Sequence, residues 1–313
     1  MKFYATTLAL GFLFLFTSFS STAKAQDKNP FIGRWDMVIQ QEGKELPSWL
    51  EITKSGRSTL VGRFVYAFGS ARPIAEVQVK NNGFNFTIPR QWEPGDKDLK
   101  FEGALQGTIL SGTMVYTDGK KYKWTATPAK VAPYKENIVW GAPKALFNET
   151  DLKGWSAMGD NQWIVKNGIL TSPKSGANLV SDEKFLNFKL HVEFKYPEGS
   201  NSGIYLRGRH EVQIEDNRGL EPSNILFGGI YGFLTPNEMM AKPAGEWQSY
   251  DITLNGNRVS IVANGKAIIT DQIIPGITGG ALDSNEAEAG PLLIQGDHGP
   301  VEFRSIVITP ELN

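Results

Sequence analysis

Short runs of β-branched and aromatic residues recur between turn signals along most of the chain after residue 30, and this pattern limits the fold more than any other feature. Runs such as "RWDMVIQ", "STLVGRFVYA" and "FKLHVEFKY" alternate with turn-forming stretches such as "NNG", "EPGD" and "TDGK". No segment has a convincing helical pattern. The sequence therefore predicts an all-β protein.

The runs between Phe31 and Thr127 predict about eight strands, which fit a small antiparallel β-barrel-like domain. Closing or nearly closing the sheet removes exposed strand edges. The start of this region, "GRWDMV", loosely resembles lipocalin-like domains. We expect residues 26–128 to form an accessory domain of this kind.

Three prolines, Pro128, Pro133 and Pro143, predict an extended linker over residues 129–143. Strand-like runs resume after it and continue to the end of the chain. So many strands predict a second domain over residues 144–313, built as a two-sheet sandwich or jelly roll.

The first residues have the pattern of a secretory signal peptide. Lys2 precedes an apolar run from Tyr4 to Phe19, and Ala23-Lys24-Ala25 provides the small residues that signal peptidase reads. The apolar run is shorter than the roughly 20 residues that cross a bilayer, which argues against a membrane anchor. We expect residues 1–25 to be removed and the mature protein to be periplasmic or secreted.

Composition excludes several kinds of chemistry. The chain has no cysteine, so disulfides, thiolate nucleophiles and zinc–thiolate sites are ruled out. Its formal net charge is −1 and it has no basic block, which argues against a nucleic-acid partner.

The second half of the chain carries six motifs in order: "LFNETDLKGW", "WIVKNGIL", "NSGIYLRG", "EVQIED", "AKPAGEWQSYDI" and "LLIQGDHGPVEFRSIVI". Together they resemble the 3-keto-disaccharide hydrolase domain family. The resemblance implies a concanavalin-like jelly roll and an exported enzyme that cleaves sugars already oxidised to a ketone at C3. One departure is Glu215, where we expect an apolar residue in the family.

Strand alternation organises the polar stretch "RHEVQIED", residues 209–216. Glu211, Gln213 and Glu215 share one face, and Val212 and Ile214 point to the core. In "NSGIYLRG", Tyr205 and Arg207 likewise share a face. The two strands are therefore predicted to present tyrosine, arginine, glutamate and glutamine on a common surface.

A ketone at C3 acidifies the hydrogen on C2, so a carboxylate can remove it while a donor or cation holds the enolate oxygen. Loss of the C1 substituent and addition of water then give net hydrolysis. We predict Glu211 or Asp216 as the base, Arg207 and Lys242 as enolate stabilisers, and His298 as a proton donor or metal ligand. Alternatively, Arg207 pairs with Glu211 as a structural ion pair.

The predicted partner is a carbohydrate. The amides of Asn201, Gln213 and Gln295 are directional groups suited to sugar hydroxyls. Tyr205 and Tyr231 are predicted to stack on a sugar ring, because a phenol covers an apolar face and still forms hydrogen bonds.

A divalent cation is an open question. Glu211, Glu215, Asp216 and Asp297 could supply oxygen ligands, but their spacing matches no calcium-loop pattern. No other cofactor is predicted.

Two other functions compete with keto-sugar cleavage. Glu211 and Glu215 copy the Glu-x-Asp-x-Glu spacing of jelly-roll retaining glycosidases, with Gln213 in the middle. The polar face could also bind sugar without catalysis. Since every candidate catalytic residue lies beyond the linker, a fragment starting near Lys144 is expected to fold and keep activity.

Overall fold

A computed structural model describes Met1 and residues 29–312, and within them every regular element is a β-strand. The predicted all-β class is therefore confirmed. The predicted signal peptide lies outside the described residues, apart from Met1. Among the described residues, no helix is long and apolar enough to cross a membrane.

Nine antiparallel strands form the first sheet, one more than the approximate number expected, in the order β4-β3-β2-β1-β9-β8-β7-β6-β5. The sheet curls so that β4, at one edge, contacts β6 near the other, as in a barrel. Alternating side chains, such as Trp35, Met37 and Ile39, fill its interior. The strands are β1 (Gly33–Gln41), β2 (Lys44–Ser55), β3 (Thr59–Val65), β4 (Arg72–Ile74), β5 (Gln78–Lys80), β6 (Gly83–Ile88), β7 (Leu99–Gln106), β8 (Ile109–Val115) and β9 (Lys121–Pro128).

The remaining strands form two further sheets that pack face to face, which agrees with the predicted jelly-roll sandwich. They are β10 (Lys144–Ala145), β11 (Trp155–Ala157), β12 (Ile164–Lys166), β13 (Ile169–Ser172), β14 (Leu179–Phe185), β15 (Phe188–Lys195), β16 (Asn201–Leu206), β17 (His210–Glu215), β18 (Gln248–Asn255), β19 (Arg258–Ala263), β20 (Lys266–Ile273), β21 (Gly290–Ile294) and β22 (Val301–Pro310). One sheet has the order β12-β13-β22-β15-β18-β19-β20, with β10 beside β22, and the other has the order β11-β14-β21-β16-β17.

The sandwich core lies between these two sheets. Phe188, Leu190 and Val192 point into it from β15. Val212 and Ile214 point into it from β17, as strand alternation predicted. The opposite face of β17 is therefore free to carry polar side chains.

Residues 129–143 contain no named strand and run along the second half of the chain. The Lys135 backbone N–H donates to Asn255 Oδ1 (3.0 Å), and the Gly141 N–H donates to the Pro310 carbonyl (2.8 Å). Residues Phe31–Asn313 form one compact unit. Independent folding of the two predicted domains stays a prediction.

The curled sheet packs against the sandwich through a small apolar cluster of Trp49, Val65 and Ile277. The Trp49 ring meets the Phe233 ring edge-on at 5.4 Å. Backbones also approach closely: a Cβ on Gly279 would lie 2.2 Å from the Gly69 carbonyl oxygen. This junction adjoins the outer face of β16 and β17.

Candidate active site

A cavity of about 550 Å³ lies over the outer face of β16 and β17. It is bordered by residues from both halves of the chain. Of the ten residues predicted to be catalytic or substrate-binding, seven line it: Asn201, Tyr205, Glu211, Gln213, Tyr231, Gln295 and His298.

The register of the β16–β17 hairpin places the polar side chains opposite one another. Tyr205 pairs with Glu211, and Asn201 pairs with Glu215. Gly203 pairs with Gln213, and its missing side chain makes room for the acid, because a Cβ there would lie 2.3 Å from Glu211 Oε1. The hairpin thus brings a carboxyl, an amide and a phenol together on the cavity floor.

Glu211 is 3% exposed, and burial raises its pKa to about 8. The Tyr205 hydroxyl lies 3.0 Å from Glu211 Oε2, and this hydrogen bond opposes the rise, as does the charge of His298. Glu211 is therefore mostly protonated at neutral pH, and once ionised it is a stronger base than an exposed carboxylate.

His298 lies in the loop between β21 and β22, with its ring half exposed at the cavity. Its Nδ1 is 2.7 Å from Asp297 Oδ1, and this hydrogen bond raises the histidine pKa. The negative charge of Glu211 acts in the same direction. The ring is therefore suited to hold a proton beside the floor carboxyl.

Two amide oxygens on the floor have no hydrogen-bond partner among the described residues. They are Gln213 Oε1 and Gln295 Oε1, and both atoms are buried. A buried acceptor without a donor costs roughly 1–3 kcal/mol of stability. A ligand whose hydroxyl groups donate hydrogen bonds to both oxygens would therefore gain binding free energy. Gln295 is held beside the hairpin by its backbone N–H, which donates to the Gly203 carbonyl (2.9 Å).

The two predicted stacking residues differ in what they present. Tyr205 is 3% exposed, and its hydroxyl also lies 3.0 Å from the Gly279 carbonyl oxygen, so its ring is part of the floor and offers little area for stacking. Tyr231 is half buried, and burial raises its pKa. Its backbone N–H donates to the Glu211 carbonyl (3.0 Å), which fixes the segment along the free edge of β17.

Three predicted catalytic residues do not reach the cavity. Asp216 follows the end of β17, and its Oδ2 accepts the Gly199 N–H (3.0 Å). Lys242 directs its Nζ to the Trp247 carbonyl (3.0 Å). Both bind local backbone away from the floor, so the predictions of Asp216 as a base and Lys242 as an enolate stabiliser find no support in this geometry.

Arg207 is the third, and strand alternation fails at this residue. It follows β16 in a three-residue turn, with φ at 56°, so its side chain leaves the alternating pattern. Its Nη2 donates to the Gly256 carbonyl (2.9 Å) and lies 3.4 Å from His210 Nε2. Burial lowers the Arg207 pKa to about 10. Neither enolate stabilisation nor the alternative ion pair with Glu211 fits this position.

One wall of the cavity was not predicted from the sequence. Phe68 and Gly69, from the loop between β3 and β4, and Trp92, from the loop between β6 and β7, line it opposite the sandwich. Trp92 lies in the turn-rich stretch "RQWEPGD" and is 67% exposed, which is unusual for so large an aromatic side chain. A large aromatic residue in a turn was the available signal.

The acidic side chains do not converge on a metal site. Among the residues the structure describes, no group of three or more histidine, aspartate or glutamate side chains is placed to hold a metal ion. The four carboxylates considered from sequence therefore do not form a calcium cage, and Asp216 lies outside the cavity.

The chain is similar to several known carbohydrate-active proteins. A curated 3-keto-disaccharide hydrolase from Bacteroides thetaiotaomicron is 25% identical, over 34% of this chain and 50% of that protein. The chain thus spans about half the length of this relative. A crystal structure of a candidate glycosyl hydrolase from Parabacteroides distasonis is 26% identical, covers 57% of this chain and 93% of its own, and has a TM-score of 0.47. A crystal structure of SCLam, a non-specific endo-β-1,3(4)-glucanase, is 11% identical, covers 58% of this chain and 95% of its own, and has a TM-score of 0.37.

The family model for the 3-keto-alpha-glucoside-1,2-lyase-like domain matches residues 142–309, which is more than half of the chain. The matched range contains the whole hairpin floor, Gln295 and His298. The resemblance inferred from the six motifs is thereby confirmed, and the chain belongs to the 3-keto-alpha-glucoside-1,2-lyase-like domain family.

Proposed function

We propose that this protein cleaves 3-keto-glycosides, including 3-keto-disaccharides, by removing the proton on C2, eliminating the C1 substituent and adding water. The observation that carries the proposal is the buried Glu211 carboxyl, whose pKa is about 8, on the floor of a cavity with donors and acceptors for a sugar. Family membership supports the same substrate class.

Glu211 is the proposed base. A C–H bond next to a ketone is a weak acid, and a base whose pKa is raised towards the operating pH removes such a proton more readily than an ordinary carboxylate. The electrons of the C2–H bond form the C2–C3 double bond of an enolate, and the ketone oxygen takes the negative charge. The proposed donors to this oxygen are the amide N–H groups of Gln213 and Gln295 and the Tyr231 hydroxyl, since all three residues line the cavity.

His298 is the proposed acid. As the enolate collapses, the C1–O bond breaks, a C1–C2 double bond forms, and the leaving oxygen takes the proton from His298. Water then adds its oxygen to C1 and a proton returns to C2, which completes a net hydrolysis. The 2.7 Å hydrogen bond between Asp297 Oδ1 and His298 Nδ1 raises the His298 pKa and so favours the protonated ring.

Export is a second part of the proposal. The Lys2 flank, the short apolar run and Ala23-Lys24-Ala25 support a mature protein that begins at Gln26 and acts in the periplasm or outside the cell.

The test is incubation of the purified protein with a 3-keto-disaccharide and with its unoxidised counterpart, with products followed by mass. We expect cleavage of the keto sugar alone. Glu211→Gln should lower turnover roughly 100-fold or more, whereas Asp216→Asn, a carboxylate outside the cavity, is the matched control and should retain activity. Cleavage of the unoxidised sugar would favour a conventional glycosidase, and binding without turnover would favour a carbohydrate-binding module.

A further inference from the structure

We propose that the curled N-terminal sheet builds the leaving-group side of the active site, where Phe68 and Trp92 take a glycoside whose leaving group has a flat apolar face, such as a phenolic ring. This inference rests on the proposed function, because it assigns the substrate class of the same site. It gives the N-terminal half a direct part in substrate selection.

The two sides of the cavity differ in chemistry. The sandwich side carries the amides, carboxyls and histidine already described. The N-terminal side contributes Phe68, Trp92 and the backbone of Gly69, and the neighbouring rim adds Ile225 and Leu226. A sugar ring, with a hydroxyl on most carbons, fits the polar floor, whereas the apolar wall suits a ring that needs few hydrogen bonds.

Trp92 is exposed to solvent, but the residues on either side of it in the loop are fixed by an ion pair and hydrogen bonds. Its exposed fraction is 67%, but Glu93 next to it is 1% exposed and pairs with Arg72 (Nη2 to Oε1, 2.7 Å). On the other side, Gln91 exchanges hydrogen bonds with Ser70 through its Nε2 (2.8 Å) and Oε1 (3.1 Å). The exposed indole therefore sits on a fixed loop, which reduces the entropy lost when a ligand stacks on it.

The wall is joined to the catalytic half at several points. The Gly280 N–H donates to the Ala67 carbonyl (2.8 Å), next to Phe68. Gly69 has a φ of 82°, and a Cβ on it would lie 3.0 Å from Trp92 Cδ1, so the indole packs on the bare backbone. A Cβ on Gly279 would also lie 2.2 Å from the Gly69 carbonyl oxygen, so the two backbones touch beside the cavity. Phe68 and Trp92 are therefore held facing the site.

The test compares two substrates that share the keto sugar and anomer but differ in the leaving group: phenyl and methyl 3-keto-glucoside. Trp92→Ala should lower kcat/KM for the phenyl substrate by about threefold to tenfold, as expected for loss of an aromatic stack, and change the methyl value by less than about twofold. Trp92→Phe should restore most of the phenyl value. Tyr134→Ala, an exposed aromatic residue outside the cavity, is the control.

A binding measurement separates this inference from the proposed function. Titration calorimetry with unoxidised phenyl and methyl glucosides needs no keto chemistry, and the phenyl compound should bind more tightly to the wild type but not to Trp92→Ala. If this preference appears without turnover of any keto sugar, the proposed function fails and the subsite stands. Equal effects of Trp92→Ala on both substrates, or no phenyl preference in either assay, would overturn the subsite.

Discussion

Replacing Glu211 by glutamine should abolish most turnover and yet stabilise the fold at alkaline pH. Burial raises the pKa of this carboxyl from 4.5 to about 8. The folded protein therefore holds the proton more tightly than the unfolded chain does. The stability that the group contributes is fully present below pH 4.5 and is lost as the pH rises to about 8.

At about 1.36 kcal/mol per pH unit, the wild type loses on the order of 5 kcal/mol of unfolding free energy across this interval. Glutamine does not titrate, and its Oε1 can still accept the Tyr205 hydroxyl, so Glu211→Gln avoids the loss. Tyr205→Phe should have the opposite effect on the pH dependence of stability. It removes a hydrogen bond that lowers the Glu211 pKa, so the loss of unfolding free energy should continue to higher pH than in the wild type.

The assay is urea unfolding of the wild type and both variants at about pH 4.5 and about pH 8.5. The difference between Glu211→Gln and the wild type should be near zero at the lower pH and several kcal/mol at the higher pH. Parallel pH curves for the two proteins would refute the buried, proton-holding state of Glu211. If Glu211→Gln lost turnover while the two pH curves stayed parallel, the catalytic role of Glu211 would have to be explained without a raised pKa.

Three further outcomes are expected. Asp297→Asn should move the pH profile of kcat/KM to lower pH, because the Asp297 charge raises the pKa of both Glu211 and His298; an unmoved profile would exclude this coupling. Glu215→Leu should leave turnover of a 3-keto-glucoside nearly unchanged, whereas loss of activity would favour the retaining-glycosidase mechanism. A fragment starting at Lys144 should have lower activity on phenyl 3-keto-glucoside, contrary to the expectation from sequence, because it lacks Phe68, Gly69 and Trp92; full activity of the fragment on this substrate would contradict the need for the wall.

The local part of the site followed from sequence because strand alternation is a local rule. It placed Glu211 and Gln213 on one face of β17 and Val212 and Ile214 on the other, and the structure has them there. The rule ended where the strand ended. Arg207 adopts a left-handed turn conformation, so its predicted position beside Glu211 is wrong.

Contacts between distant segments could not be predicted in this way. Trp92 reaches the site only because the curled sheet packs on the sandwich through Trp49 and Ile277. The raised pKa of Glu211 likewise depends on segments that cover β17, including Thr278, whose Oγ1 accepts the Glu211 N–H (3.0 Å). Neither the packing nor the burial has a signal in the residues of β17 itself.

The most direct test of the proposed mechanism is deuterium incorporation at C2 during turnover of a 3-keto-glucoside in D₂O. Proton abstraction by Glu211 followed by hydration predicts product labelled at C2, and Glu211→Gln should lose labelling and cleavage together. Cleavage by the wild type with no deuterium at C2 would contradict the account.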